Sequence, residues 1–213
     1  MHKGFKPYGD LLVDKLIEDF FLESSAGRLY IDTCEQYGWP FVIDHITVRC
    51  LDIDRRAEVF LKTGYLYQDE IVEYKDKGWW AKIYRKEGFP ALFIDQAYQD
   101  AKDAIIPAWV KQFGEDILHH VAVLVADIDK TVSALSKNGV AFSEQDGTLP
   151  QVLGARGSRL RQIFTSAELR NGSAFTVLEL TERNGYDGFY AEQANSLMEF
   201  SVLKTHHPTG TPL

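Results

Sequence analysis

The chain has 213 residues, 45% of them apolar, which is enough to bury a full core and excludes a disordered or fibrous polypeptide. Its net charge of −8, with no cluster of Lys and Arg beyond a residue or two, excludes a nucleic-acid backbone as partner, because that affinity rests on clustered cations displacing counterions. No segment approaches the roughly twenty apolar residues of a membrane span, and Met1 to Asp10 hold no apolar stretch of a secretory signal, so a soluble cytoplasmic protein with no membrane contact is expected. Cys34 and Cys50 stand outside any CxxC or zinc spacing and read as small buried thiols.

In chain order, Leu11, Leu12, Leu16, Phe20 and Phe21 recur at helical spacing, and a second helical pattern from Leu29 to Tyr37 ends at Gly38-Trp39-Pro40. Residues 1–42 therefore form a helical N-terminal cap. A first module over 43–95 reads β-α-β-β-β: a strand Ile43 to Leu51, a helix Ile53 to Lys62 entered through Asp52 and closed by Gly64, then strands Tyr65 to Tyr74, Trp79 to Arg85 and Pro90 to Ile94. Residues 96–117 are a mostly helical connector, with Pro107 starting a new turn. A second module over 118–183 repeats the order: a strand His119 to Val125, a helix Ile128 to Lys137, a short strand near Ala141 to Ser143, and strands Arg159 to Ser166 and Phe175 to Thr181. The Gly-rich loop Thr148 to Ser158 is expected to be mobile over a pocket. Residues 184–213 hold a closing helix, Tyr186 to Leu203, and a loose tail. The fold class expected is α+β, with paired βαβββ modules forming a cupped mixed sheet around a metal site.

The repeat carries the functional argument. A shift of 75 residues lays Asp44-His45-Ile46-Thr47-Val48 on His119-His120-Val121-Ala122-Val123, Asp52-Ile53-Asp54-Arg55 on Asp127-Ile128-Asp129-Lys130, and Gly64-Tyr65 on Gly139-Val140. One histidine thus recurs at a fixed place in each copy, and two such places meet if the copies pack about a two-fold axis. His119 competes with His120 for this role, and only the repeat phase selects His120. Glu179 interrupts the apolar run Phe175-Thr176-Val177-Leu178-Leu180, and a carboxylate buried at mid-strand needs a cation or several donors. Either a metal supplies that need, or Arg161 or Arg183 does as a structural ion pair.

Two neutral imidazoles and one carboxylate on one side of a divalent ion form the facial triad of non-haem Fe(II) oxygenases, so His45, His120 and Glu179 are the candidate ligands. Repeat alignment places Phe93 where Glu179 stands, which favours three protein ligands over the four of a glyoxalase-type isomerase. Residues two apart on a strand share a face, so Arg49 lies on the His45 face, as an edge cation or as a fork for a substrate carboxylate. Gln162 either hydrogen-bonds a substrate carbonyl or fills a polar core position, and Trp79, Trp80 and Tyr84 either pack or line the pocket wall.

These residues resemble the vicinal oxygen chelate superfamily over roughly Ile43 to Arg183. More narrowly, Asp44-His45-Ile46-Thr47-Val48-Arg49, the Gly64-Tyr65 turn, Ala91-Leu92-Phe93-Ile94, the Gly157-Ser158 approach to Leu160-Arg161-Gln162, and Leu178-Glu179-Leu180-Thr181-Glu182-Arg183 are similar to the 2-oxoadipate dioxygenase/decarboxylase (hydroxyglutarate synthase) family. Leu160-Arg161-Gln162-Ile163-Phe164-Thr165 also resembles a strand of hydroxyphenylpyruvate dioxygenase. The resemblance implies an Fe(II) dioxygenase acting on a small 2-oxo acid and O2 with oxidative decarboxylation. It places the ligands on His45, His120 and Glu179, the substrate-carboxylate arginine on Arg49, and further substrate contacts on Gln162 and Ser158. The chain is much shorter than typical members and has His119-His120-Val121 where they carry an Asn-His-aromatic run. A lyase or isomerase using Ni, Mn or Zn, and a non-catalytic small-ligand-binding protein, are the alternatives; a homodimer is compatible with the architecture.

Overall fold

A computed structural model describes residues 7–101, 105–142 and 151–201. Two helices, α1 (Leu11–Glu23) and α2 (Ser25–Tyr37), open the chain. Ser24 joins them by ending the first and capping the second, its hydroxyl accepting from Gly27 N. The first module follows as β1 (Ile43–Cys50), α3 (Ile53–Leu61), β2 (Leu66–Tyr74), β3 (Trp79–Arg85) and β4 (Ala91–Ala97). After α4 (Ile105–Phe113), the second runs through β5 (Leu118–Leu124), α5 (Ile128–Lys137), β6 (Leu160–Phe164), β7 (Glu168–Arg170) and β8 (Ser173–Arg183), and α6 (Ala191–Phe200) closes the described chain.

The strands form one sheet in the order β2-β3-β4-β1-β5-β8-β6, with β7 paired to β8. β1 is parallel to β4 and β5 is parallel to β8, the crossovers made by the helix-containing connections within each module. The two modules join through the antiparallel ladder of β1 with β5. This is the expected cupped α+β sheet of paired modules.

Side chains alternate across each strand, so the sheet has two unlike faces. Ile46, Val48, Cys50, Leu92, Ile94, Val121, Val123, Leu178 and Leu180 point to the convex side, where α1, α2, α3 and α5 cover them in one apolar core. On the concave side, Trp79, Ala81, Ile83, Phe93 and Phe175 pack with Ile106, Trp109 and Val110 of α4 and Met198 of α6. Helices therefore close the cup from within as well as covering it from behind.

The sequence boundaries shift in three places. β4 continues to Ala97, into the segment expected as connector, because Asp95 and Gln96 keep their ladder partners Arg49 and Cys50 on one side and Ala81 and Trp80 on the other. The short strand near Ala141 to Ser143 is a single bridge, Phe142 with Thr165, and Ser143 itself lies outside the described residues. The closing helix starts at Ala191 rather than Tyr186, since the carbonyls of Tyr186, Asp187 and Gly188 accept from Arg183 and Arg85 instead of from a following turn. Thr148 to Pro150 and the tail from Lys204 lie outside the described residues. The β7–β8 hairpin was not anticipated, although Asn171-Gly172, at φ 53° and 76°, is a strong two-residue hairpin signal.

The repeat reaches down to the caps. Asp52 (φ −147°, ψ 106°) accepts from Arg55 N at 3.0 Å, and Asp127 (φ −150°, ψ 105°) accepts from Lys130 N at 3.0 Å. Asp52→Ala and Asp127→Ala should each lower the unfolding free energy by about 1 kcal/mol in urea titrations. Unequal losses would show that the two caps are no longer energetically equivalent.

Candidate metal centre

The β1–β5 ladder sets Thr47 opposite His120 and His45 opposite Ala122, and the parallel β5–β8 pairing sets Ala122 beside Glu179. Three neighbouring strands thereby bring His45, His120 and Glu179 to one spot on the concave face, with a potential ligand atom from each within 4.8 Å of the others. His45 Nε2 lies 3.3 Å from Glu179 Oε2, and His120 Nε2 lies 3.5 Å from the same oxygen. Both separations exceed a charge-assisted hydrogen bond. They suit donors facing a shared ion, and two imidazole nitrogens with one carboxylate oxygen are the donor types such an ion takes.

Each histidine sits beside a break in the ladder. Between Ile43 and His45 the first strand carries an extra residue, Asp44, and between Thr47 and Val48 the fifth strand carries the extra residue His119. A bulge re-aims side chains that regular pleating would send to opposite faces. Asp44 Oδ2 accordingly lies 2.7 Å from His45 Nδ1, and His119 Nδ1 lies 2.9 Å from His120 Nδ1. The geometry groups His120, not His119, with His45 and Glu179; His119 also lines the cavity, packed against Trp109 and Phe164.

Glu179 is 1% exposed, yet it is well served. Its Oε1 accepts from Gln162 Nε2 at 2.6 Å and from Thr181 Oγ1 at 2.7 Å. Burial alone would push its pKa up, but the His45 and His120 rings and these donors hold it below the usual carboxylate range. Arg161 and Arg183 are not its partners: Arg161 pairs with Asp129 and Glu182, and Arg183 with Asp44. Burial also disfavours the His45 imidazolium, but Glu179 and Asp44 outweigh it and raise its pKa to about 9. At His120 desolvation outweighs the pull of Glu179 and brings the pKa down to about 3, and burial likewise lowers that of His119.

The cluster opens onto a cavity lined also by Thr47, Arg49, Trp79, Phe93, Asp95, Gln162, Phe164, Phe189, Leu197 and Met198. Arg49 is 1% exposed; its Nη2 donates to Met198 Sδ and Ser201 Oγ, while Nε and Nη1 have no hydrogen-bond partner among the described residues. Burial brings this guanidinium down to about 10, and its strand neighbour Asp95, also desolvated, is raised to about 7. Of the remaining sequence candidates, Gln162 reaches the cavity but directs its amide to Glu179. Ser158 does not line the cavity, because its hydroxyl turns back to Leu160 O. Trp79 is part of the wall and is fixed by a bond from Nε1 to Asn195 Oδ1, whereas Tyr84 belongs to the convex core and Trp80 stacks on Tyr98.

The described part of the loop before Ser158 is stitched to β6 through Leu153 and Gln162 rather than covering the cavity. Its Gly154, at φ +87°, has no room for a Cβ, which would meet Leu160 O at 2.5 Å. Asp44, Thr47 and Thr181 are residues of the site to which the sequence reading gives no role. The first could have been found from the repeat, which sets Asp44 on His119. Among the described residues no helix is long and apolar enough to cross a membrane.

Neither protein-family models nor curated protein sequences give a match to the chain. Solved structures do. A protein of Shewanella frigidimarina provisionally called a hydrolase superposes with a TM-score of 0.69 at 18% identity, over 84% of this chain and 96% of that one. A Ralstonia eutropha protein provisionally placed in the glyoxalase superfamily gives 0.61 at 12% identity, over 82% of each chain. A triple-substituted variant of 4-hydroxymandelate synthase from Streptomyces coelicolor gives 0.59 at 22% identity, over 75% of this chain and 54% of that one. Together with the duplicated modules and the cupped sheet, these likenesses show that the chain has the vicinal oxygen chelate fold.

Proposed function

We propose that this chain is a metal-dependent oxygenase that takes a small 2-oxo acid and O2 and carries out oxidative decarboxylation, with the ion held by His45, His120 and Glu179. The observation that carries the reading is Arg49. A buried guanidinium with two unpaired donors is costly to keep, and this one lines the same cavity as the three candidate ligands. A carboxylate meets a guanidinium bidentately and would relieve that cost.

An Fe(II) ion in the site would supply the redox chemistry by which O2 oxidises and decarboxylates the acid; the donor types also suit Mn, Ni or Zn. The chain's own residues have separable tasks. Gln162 and Thr181 hold Glu179 in its ionised form and in a fixed orientation. Arg49 binds the carboxylate and sets which end of the acid faces the ion. Trp79, Phe93, Phe164 and Phe189 keep water out, so that charges within the cavity act at low dielectric. The space open to the centres of water molecules is about 40 Å³, so a substrate larger than a few waters is admitted only as lining side chains shift. Phe93, ring-packed on His45 at 5.1 Å where a fourth ligand would stand, favours this reading over a four-ligand isomerase.

Protein purified without chelator should hold one divalent ion per chain, and His45→Ala or Glu179→Gln should each abolish it, as read by elemental analysis. The Fe(II)-loaded protein should consume O2 with at least one of a panel of 2-oxo dicarboxylates. An ion without O2 uptake points to a Lewis-acid lyase or isomerase, and no ion at all to a binding protein. Arg49→Ala should lower kcat/KM by about 100-fold, the scale of leaving a buried charge partner unpaired, with the metal content unchanged. Equal loss of metal would count against the substrate role of Arg49.

A further inference from the structure

We infer that the two bulge residues, Asp44 and His119, are repeat-related positioning residues, each fixing the tautomer of the histidine that follows it, with Arg183 anchoring the first of them. The inference rests on the metal centre proposed above. Asp44 and His119 coincide under the same 75-residue shift that superposes His45 on His120. Each is the one extra residue of its strand in the β1–β5 ladder, so the duplication has kept the bulge as well as the histidine. Each also places a side-chain atom against Nδ1 of its neighbour, Asp44 Oδ2 at 2.7 Å and His119 Nδ1 at 2.9 Å.

The Nε2 atoms of both rings are the ones that face Glu179. To bind an ion there, Nε2 must present its lone pair, which leaves the proton on Nδ1, and a buried N–H needs an acceptor. Asp44 is that acceptor for His45. For His120 the acceptor is His119 Nδ1, which assigns the His119 proton to Nε2; the Thr47 hydroxyl, 2.8 Å from His120 Nε2, can then donate to that lone pair only while no ion holds it, and turns away when one does. A strand without bulges would send residues 44 and 119 to the convex face, where neither could do this.

The two copies differ in charge. Asp44 is an anion gripped by Arg183, whose Nε donates to Oδ1 at 2.6 Å and Nη2 to Oδ2 at 2.9 Å. The same guanidinium donates through Nη1 to Tyr186 O and Gly188 O and lies 4.5 Å over the Phe189 ring, which packs on His45. One arginine thus holds both the orienter of His45 and the segment that brings Phe189 onto it. His119 offers only a neutral lone pair, so His45 is the more strongly polarised ligand.

Co(II) titration of the apo-protein, followed by visible absorption and by competition with a chelating dye, tests this without reference to activity. Asp44→Asn and His119→Phe should each weaken Co(II) binding by about 10- to 100-fold and shift the visible bands, the range expected on removing a ligand's hydrogen-bond partner. His119→Gln, which returns an acceptor, should recover most of the loss. Lys86→Met, which breaks the remote ion pair with Asp10, should lower Tm and leave Co(II) affinity as in the wild type. Wild-type affinity and spectra in both Asp44→Asn and His119→Phe overturn the inference and leave the metal centre standing. A wild-type chain that takes up no Co(II) overturns the centre itself. Asp44→Asn is nearly isosteric and keeps the test open should the Phe variant not fold.

Discussion

The antiparallel pairing of β1 with β5 is the contact on which the rest of the molecule depends. It is the seam between two modules that share no other ladder among the described residues, and it sets how far apart the two repeat-matched histidines stand. Because side chains alternate with a period of two, a one-residue slip in this seam would turn His45, Thr47 and Arg49 into the helix-covered core and bring Ile46 and Val48 into the cavity. Burial of Ile46, Val48, Val121 and Val123 against α1, α2, α3 and α5 makes that slip prohibitive. The apolar convex face thus holds the register that the polar concave face uses.

The concave face is arranged differently from a core selected for stability alone. Within one small cavity it holds Glu179, Asp95, Arg49 and three imidazoles, all largely withdrawn from water. Glu179 is stabilised by two neutral donors and the rings around it, and Asp44 by Arg183, so part of this charge is compensated inside the fold. Arg49 and Asp95 are less well served, although the Arg49 guanidinium also lies 5.5 Å over the Trp109 ring. The partners of Arg49, Met198 and Ser201, are weak or neutral acceptors, and Asp95, though opposite in the ladder, makes no ion pair with it within 4 Å among the described residues. This uncompensated cost, on a sheet that fixes the residue's place beside the cavity, is the basis on which a carboxylate ligand is proposed.

Arginines also decide the shape of the cavity's rim. The backbone between β8 and α6 gives three successive carbonyls to two guanidinium groups, those of Arg183 and Arg85, and this places Phe189 over His45 and Phe93. A Cβ at Gly188 would meet the Tyr186 ring and hydroxyl at 2.5 to 2.9 Å, so a larger residue there would displace that ring. The rim and the ligand set are consequently joined through Asp44 and Arg183 and do not form independently.

Much of this was legible in the chain itself. The 75-residue self-match, the alternation along Ile43 to Cys50 and Phe175 to Thr181, and the caps at Asp52 and Asp127 are local patterns, each dictated by strand or helix periodicity, and they determined the modules, the inward faces and the candidates His45, His120 and Glu179. What a period of two cannot reveal is a departure from it. The bulges at Asp44 and His119, the extension of β4 through Asp95, and the turning of Gln162 to Glu179 rather than to open space arise from pairing between segments far apart in sequence. Ser158 shows the converse: a resemblance put it at the site, while its own hydrogen bond to Leu160 takes it elsewhere. Local chemistry named the candidate ligands; only the long-range ladder, by fixing which backbone atoms pair across the seam, determined what stands behind each of them.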